Sequence, residues 1–438
     1  VSFLRYMRLF RRDILSAQPA KLYGAWMAEF KTPFFRSFLV NDPKLVREVL
    51  NQRPEDFPKS DRISEGLRPL LGNSVFVTNG AAWERQRRII DPAFEGGRLR
   101  DTFPAMWAAG EQAVARMEEG RVEVEQAASF AAADVIFRTL FSIPIEDKVA
   151  GEVFTKFRDY QRSQPLLNLA AFVPMPAWMP RVFRPKTRVA AQAIRGLITG
   201  LTRARMAAIE AGDAPDDLAT KIMTTPDPET GELFTADEMV DQVAIFFLAG
   251  HETSASALSW ALYLLAMSPD WQARVAAESA ALEAARDVAV MGKLRASRDV
   301  FREALRLYPP VPMMVREAGC PEEFRGRRVE TGAMVVVSPW HLHRHEKLWD
   351  NPDGFDPARW ETENGKTCAR DAYIPFSSGA RVCPGAGFAM FEGPLLLSML
   401  VRAFRFEVIE GAEPVPQAHL TVRAKDGIWL KVTRRETD

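Results

Sequence analysis

The chain has 438 residues, is 47% hydrophobic, and has a formal net charge of zero from 57 basic and 57 acidic side chains. That is enough apolar material for a large core, and the balanced charge argues against nucleic acid or an anionic surface as the main partner. Its three cysteines, Cys320, Cys368 and Cys383, include no C-x-x-C pair, so they indicate neither a disulfide scaffold nor a zinc site and fit a reducing cytoplasm.

No Gly/Ser-rich boundary, low-complexity stretch or repeat divides the sequence, so residues 1–438 read as one domain. No apolar run reaches the length needed to span a membrane. Residues 1–12 interleave arginines with apolar side chains, as in an amphipathic first helix, and carry no signal-peptide cleavage pattern. Residues 34–40 then read as a strand and 45–50 as a short helix. Trp83 and Arg87 lie four apart on one helix face. Arg85, Arg88, Arg98 and Arg100 make either a solvated face or a docking surface. Residues 165–180 are rich in proline and apolar side chains, and a connection that long and apolar is usually functional. Helical patterns cover 187–211 and 271–285.

The clearest helix spans 236–267. Thr235 and Glu238 form a capping box at its start, and Ser268-Pro269 ends it. It is apolar nearly all round at 243–248, so it should be buried. Gly250, Glu252 and Thr253 at mid-length are out of keeping with such a helix. Two readings stand: a bent core helix whose Thr253 bonds back to its own turn, or a helix opened over a reaction centre. Further on, Glu303 and Arg306 sit on one face of a helix that ends at Tyr308-Pro309-Pro310. Residues 329–337 are β-branched and read as a strand. His341, His343 and His345 alternate, which would put them on one face of a strand, but no carboxylate completes a metal site. Residues 420–422 and 428–432 read as a hairpin around Lys425-Asp426-Gly427.

The most specific stretch is Phe376-Ser-Ser-Gly379-Ala-Arg381-Val-Cys383-Pro-Gly385, with the spacing F-x-x-G-x-R-x-C-x-G. Cys383 can supply a thiolate that pushes electron density onto a haem iron. Pro384 suits the first position of a helix whose amides would point at the sulfur. Gly379 and Gly385 allow a bent backbone and close approach to a flat macrocycle. Arg381 places a permanent cation within reach of a haem propionate, and Phe376 shields the sulfur from water. A structural cysteine in a glycine-rich turn is the competing reading, and it accounts for fewer of the five fixed positions.

This window resembles the haem-binding loop of the cytochrome P450 family. Ala249-Gly250-His251-Glu252-Thr253-Ser254 is similar to the family's central-helix motif, Glu303 and Arg306 to its E-x-x-R pair, and Trp83 and Arg87 to its W-x-x-x-R helix. The segment from Phe355 to Trp360 is similar to the stretch whose arginine, here Arg359, joins the Glu303–Arg306 pair. The motifs come in the family's order over essentially the whole chain. The resemblance implies an α+β, predominantly α-helical cytochrome P450 fold with a long central helix and small β-sheets.

By the same resemblance, Cys383 binds haem b, and Trp83, Arg87, Arg316 and Arg381 reach its propionates. Thr253 and Glu252 deliver protons to dioxygen. Residues 165–180 form a lid, and the histidine-rich stretch packs structurally. Ala249 lies against the haem, while Val75, Phe76, Phe246, Val311, Met313, Met314, Leu420 and Thr421 line the substrate pocket. These are apolar with little charge, which suits a lipophilic substrate such as a fatty acid or a terpenoid- or steroid-like molecule. The implied enzyme is a cytoplasmic, monomeric haem-thiolate monooxygenase. It inserts one atom of O2 into a C–H bond and takes electrons from a separate ferredoxin or flavodoxin docking near Cys383, with no fused reductase. Two rivals are a peroxide-using haem-thiolate peroxygenase, which usually lacks the acid–alcohol pair, and a haem-binding sensor, which needs no proton relay.

Overall fold

The principal helices are α1 Gly80–Ile90, α2 Phe103–Arg116, α3 Val124–Phe141, α4 Pro185–Ala211, α5 Ala236–Ala266, α6 Pro269–Glu278, α7 Arg295–Leu307 and α8 Ala386–Ala403. The computed structural model describes residues 13–436 except 14, 16–17, 32–35, 164–184, 285 and 419. The lid expected at 165–180 and the first helix expected at 1–12 lie outside the described residues.

Helix α5 starts at the capping box. Thr235 Oγ1 accepts the Glu238 amide at 3.3 Å, and the Glu238 carboxylate accepts the Thr235 amide at 2.9 Å. Its 31 residues are mostly buried and run through the interior against α3, α4, α7 and α8. At Gly250 a Cβ would stand 2.5 Å from Ile136 Cδ1 of α3. The mid-helix glycine therefore has a packing reason that the sequence did not disclose: it lets two helices cross closely.

Near its C-terminal end, the pattern expected to continue as one helix over 271–285 breaks after Glu278. The Glu278 carboxylate accepts the Ala296 and Ser297 amides at 2.7 and 2.6 Å, so the end of α6 caps the start of α7. Helix α8 also corrects the expectation that no apolar run is long enough to cross a membrane. Its 18 residues suffice by length and composition, but 61% of them are buried within the protein, as in a core helix.

A four-stranded sheet has the order β1-β2-β4-β3, with β1 Met27–Lys31, β2 Arg36–Val40, β3 Met314–Glu317 and β4 Met334–Val337. β2 pairs in parallel with β4, Val40 lying opposite Val337, and the other two pairings are antiparallel. Phe38, Val40, Phe57, Phe324, Val335 and Trp360 form a core on this side.

The expected terminal hairpin does not form. Val422–Ala424 pairs with Pro416–Ala418, whereas Trp429–Arg434 lies between Gly120–Glu123 and Phe404–Val408. The Val422 amide donates to Pro310 O at 2.9 Å and its carbonyl accepts Ser256 Oγ at 2.5 Å, so these groups are not available to a hairpin partner.

The three histidines sit on a helical turn and the bend after it, not on one strand face. His341 bonds Ser338 Oγ at 2.8 Å, His343 accepts the Ile374 amide at 2.9 Å, and His345 stacks on Trp26 with ring centroids 4.2 Å apart. Each is committed to packing.

Candidate active site

The cysteine loop is set by contacts on both sides. Cys383 N donates to Phe376 O at 2.9 Å and Val382 N to Gly379 O at 3.0 Å, which closes the loop on itself. Gly379 has φ +69°, and a Cβ there would fall 2.1 Å from Leu50 O, so only glycine lets the loop lie on residues 48–52. Ser378 Oγ bonds Asn51 Oδ1 at 2.8 Å, and Arg381 Nη1 donates to Pro54 O at 2.6 Å. Gly385 has no such constraint: its φ is −82° and it caps α8, which begins at Ala386. Pro384 lies in the turn before that cap, not at the first helical position.

Cys383 is exposed to solvent, yet burial among protein atoms pushes its thiol up. Both observations hold if its side chain forms the wall of a deep cleft. The Gly385 amide bonds it and the nearby Arg87 charge acts on it, both favouring the thiolate. Cys368, by contrast, is buried with its thiol donating to Leu348 O, and Cys320 donates to Glu322.

Four basic side chains converge beside this loop. Arg381 lies over the Trp83 ring at 4.9 Å, with Arg87 at 5.8 Å and Lys59 at 5.6 Å from the same ring. Lys59 Nζ donates to the carbonyls of Val75 and Thr78 at 2.6 and 2.9 Å, and Lys59 bridges Arg316 through the backbone. Arg87 spends part of its fork on Val382 O and on Asp91, and Glu55 stands 3.9 Å from Arg381. Lys59 and Arg316 have no carboxylate partner among the described residues.

Burial, then the charges of Arg316, Arg381 and Arg87, push the Lys59 amine down to about 6. Burial and Arg381 push Arg316 down to about 10. Arg381 Nε is buried without a hydrogen-bond partner. Cations this crowded and desolvated call for an anion. A haem, with two carboxylates at one edge and an iron that takes a thiolate, fits this donor set. Lys59 escaped the sequence reading because Pro58-Lys59-Ser60 carries no periodicity or motif that separates it from a surface lysine.

Helix α5 presents one open face. Phe246, Ala249 and Thr253 share one face at helical spacing, and each is accessible on a helix whose other residues are mostly buried. Thr253 Oγ1 donates to Ala249 O at 2.5 Å, the back-bond of a core helix, on the face that is open. Glu252 is buried and turned elsewhere: its Oε1 accepts the Thr421 hydroxyl at 2.6 Å and lies 3.1 Å from Arg423 Nη2. Ser254 donates to Glu392 at 2.6 Å, and burial pushes that acid up to about 8.

Hydrogen bonds stitch the pocket-lining stretches together. Val75 N donates to Gln242 Oε1 at 2.9 Å, and Val422 joins Pro310 to Ser256 as described above. Val75 and Phe246 pack partly against the main core, and Phe246 lies 5.8 Å from the Phe94 ring. Phe76 and Leu420 are exposed, and Val311 and Met313 are half-buried. Two expected lining residues differ. Thr421 is buried with its hydroxyl on Glu252, and Met314 packs against the sheet-side core.

Of the arginines considered for docking, Arg85 pairs with Glu238 at 2.7 Å, Arg88 with Asp227 at 2.6 Å and Arg98 with Asp216 at 2.9 Å. Pairing within the chain blunts them as a positive surface. Arg100 is exposed.

Comparison with known proteins agrees with this geometry. The family model described as cytochrome P450 matches residues 18–432. Cyclooctatin synthase of Streptomyces melanosporofaciens is 32% identical over 395 residues, covering 88% of this chain and 84% of that protein. Cyclooctat-9-en-7-ol 5-monooxygenase of the same organism is 30% identical over 413 residues, covering 92% and 87%. The crystal structure of the cytochrome P450DA heme domain superposes with a TM-score of 0.78 at 25% identity, covering 94% of this chain and 90% of that one. The chain belongs to the cytochrome P450 family, with its mostly helical fold and haem-thiolate cofactor. It is a cytochrome P450 monooxygenase.

Proposed function

We propose that this monooxygenase hydroxylates an unactivated C–H bond of a lipophilic, terpenoid-like substrate, with electrons from a separate ferredoxin or flavodoxin docking on the face nearest Cys383. Bound haem would supply the dioxygen chemistry that no side chain here can perform. Cys383 is the thiolate ligand in this reading, and Lys59, Arg87, Arg316 and Arg381 hold the two carboxylates, with Trp83 as their platform. The observation that carries the assignment is the convergence of four basic side chains, two of them without a carboxylate partner among the described residues, beside the most exposed of the three cysteines.

Thr253 offers a hydroxyl on the accessible face of α5, and it can exchange its bond to Ala249 O for one to a reacting group. Glu252 replenishes the proton that leaves this face. Phe76, Phe246, Val311, Met313 and Leu420 offer apolar surface and no charge, which favours a substrate held by shape and exclusion of water. Terpenoid-like chemistry is preferred over a fatty acid because one relative is named for its action on cyclooctat-9-en-7-ol, an alicyclic alkenol.

Thr253→Ala tests the mechanism. A positioned proton donor contributes roughly 10²–10⁴-fold. The variant should bind haem and substrate and consume NADH with partners present, while hydrogen peroxide replaces most of the product. Undiminished coupling would remove Thr253 from the mechanism. Screening cyclic terpenoids against fatty acids for the visible-band shift on ligand binding tests the substrate class, and tighter binding of the fatty acids would reverse the preference.

A further inference from the structure

We propose that Arg423 is a positioning residue for proton supply, shared between two acids, Glu252 and Glu125, so that its choice of partner sets whether the Glu252 carboxylate is held at the C-terminal segment or freed toward Thr253. This rests on the proton-relay role given above to Glu252 and Thr253.

Neither of those two side chains bonds the other in this structure. The Thr253 hydroxyl is on Ala249 O, and the Glu252 carboxylate is on Thr421 and Arg423. To serve the open face of α5, Glu252 must leave Thr421 and Arg423. Arg423 lies on the strand Val422–Ala424, whose backbone is pinned to Pro310 and Ser256, so any movement belongs to its long side chain. Its Nε lies 3.9 Å from Glu125 Oε1, against 3.1 Å from its Nη2 to Glu252. The structure therefore captures the guanidinium nearer Glu252, with the second acid within reach.

Glu125 sits in the first turn of α3, where the helix dipole favours an anion. Around it stand Arg423, Glu123, Glu252 and the Ala424 amide. Glu123 is itself committed to capping α3 through the Glu125 and Gln126 amides. Arg423 is faced in addition by His251, whose Nε2 bonds Ser129 Oγ at 2.7 Å, and by Arg158 beyond His251. Burial first, then Glu123 and Glu252, push the Glu125 carboxyl up to about 7, while Arg423 opposes them.

Below neutrality Glu125 is therefore protonated, and Glu252 keeps Arg423 without competition from it. Above it, two carboxylates compete for one guanidinium, and Glu252 is released more often. Once released, the Glu252 carboxylate takes a proton from water and passes it toward Thr253, returning to the anion, so the cycle leaves both acids unchanged.

The test compares wild type, Glu125→Gln, Arg423→Lys and Glu252→Gln holoproteins, each checked for haem content and carbon monoxide spectrum. Product formation at saturating reduced partner and substrate is followed over about pH 6–8.5, and the carboxyl stretch is titrated by infrared spectroscopy. Wild-type turnover should rise through about pH 7 with loss of one carboxyl signal, the pH window set by Glu125. Glu125→Gln should lose both the signal and the rise, and stay up to about tenfold slower at high pH, part of what a positioned donor contributes. Arg423→Lys keeps the charge without the fork and should displace the rise.

If Glu125→Gln keeps the wild-type profile while Glu252→Gln is slow, the shared-arginine proposal is wrong and the relay stands. If Glu252→Gln turns over like wild type, the relay itself is wrong.

Discussion

Arg306 and Glu303, one helical turn apart and both fully excluded from solvent, meet through two parallel N–H···O bonds of 2.9 and 2.8 Å. Arg359 Nε joins the same carboxylate at 3.0 Å. The two guanidinium groups also donate to carbonyls of His343, Asp350, Asn351, Pro352 and Gly354, so this cluster clamps α7 to the segment that leads into the cysteine loop.

Removing Glu303 would strand two buried cations. Glu303→Ala should cost about 3–5 kcal/mol. Chemical denaturation of the purified protein measures this directly, and haem content should fall with it. A variant within about 1 kcal/mol of wild type, well short of the ~3–5 kcal/mol of a broken buried pair, would show that the cluster does not hold the fold.

Cys383→Ser should abolish the red-shifted carbon monoxide band of thiolate ligation. Cys320→Ser and Cys368→Ser should keep it, since those thiols donate to Glu322 and to Leu348 O. Reduced difference spectra of the three variants decide the ligand.

Lys59→Met should act oppositely on the two forms of the protein. Haem should leave several-fold faster, read as transfer to a haem-free globin. The apoprotein should become more stable, because burial among three guanidinium groups strips Lys59 of the proton it holds when unfolded, and methionine removes that cost. The Lys59 amine is lowered from 10.5 to about 6 in the folded chain, so the unfolded state binds the extra proton between those values and apoprotein stability rises with pH across that window. In Lys59→Met that contribution should vanish. Denaturation of the apoprotein at a series of pH values is the measurement, and an unchanged slope would count against the buried placement.

Glu392 gives the reverse sign. Its carboxyl is raised from 4.5 to about 8 on folding, so the folded state binds the extra proton between those values and stability falls as pH rises through them. Glu392→Gln keeps an oxygen for the Ser254 hydroxyl and should remove this slope, leaving the variant more stable than wild type by a few kcal/mol near pH 8. Equal stability at every pH would mean that Glu392 reaches water.

Local signals were the legible ones. The capping box at Thr235 and the stop at Ser268-Pro269 bound α5 almost to the residue, because both act within one turn of the chain. Strands were visible near 36–40 and 334–337, but the single strand expected over 329–337 is broken by the turn at Thr331-Gly332, Val329 belonging to a separate strand, and nothing local says that Arg36–Val40 and Met334–Val337 pair in parallel across some 300 residues. The terminal hairpin failed for the same reason: the turn at Gly427 is real, and Val422 is already bonded to Pro310 and Ser256.

At the site, glycines, an arginine and a cysteine in fixed spacing were readable as a loop with a purpose. Lys59, Thr421 and Arg423 were not, because their roles come from neighbours far off in sequence. Thr421 looked like pocket lining and is a hydrogen-bond donor to a buried acid.

The seating of the cysteine loop on residues 48–54 also bears on when this protein can come into being during synthesis. Ser378 and Arg381 reach Asn51 and Pro54 across 327 residues of chain. Those early residues leave the ribosome long before the loop they support exists, so they must wait for nearly the whole polypeptide. Contacts of such separation form late, after the local helices. Cys383 therefore acquires its backbone setting as one of the last events of folding, and a chain released early carries helices but no seat for its metal.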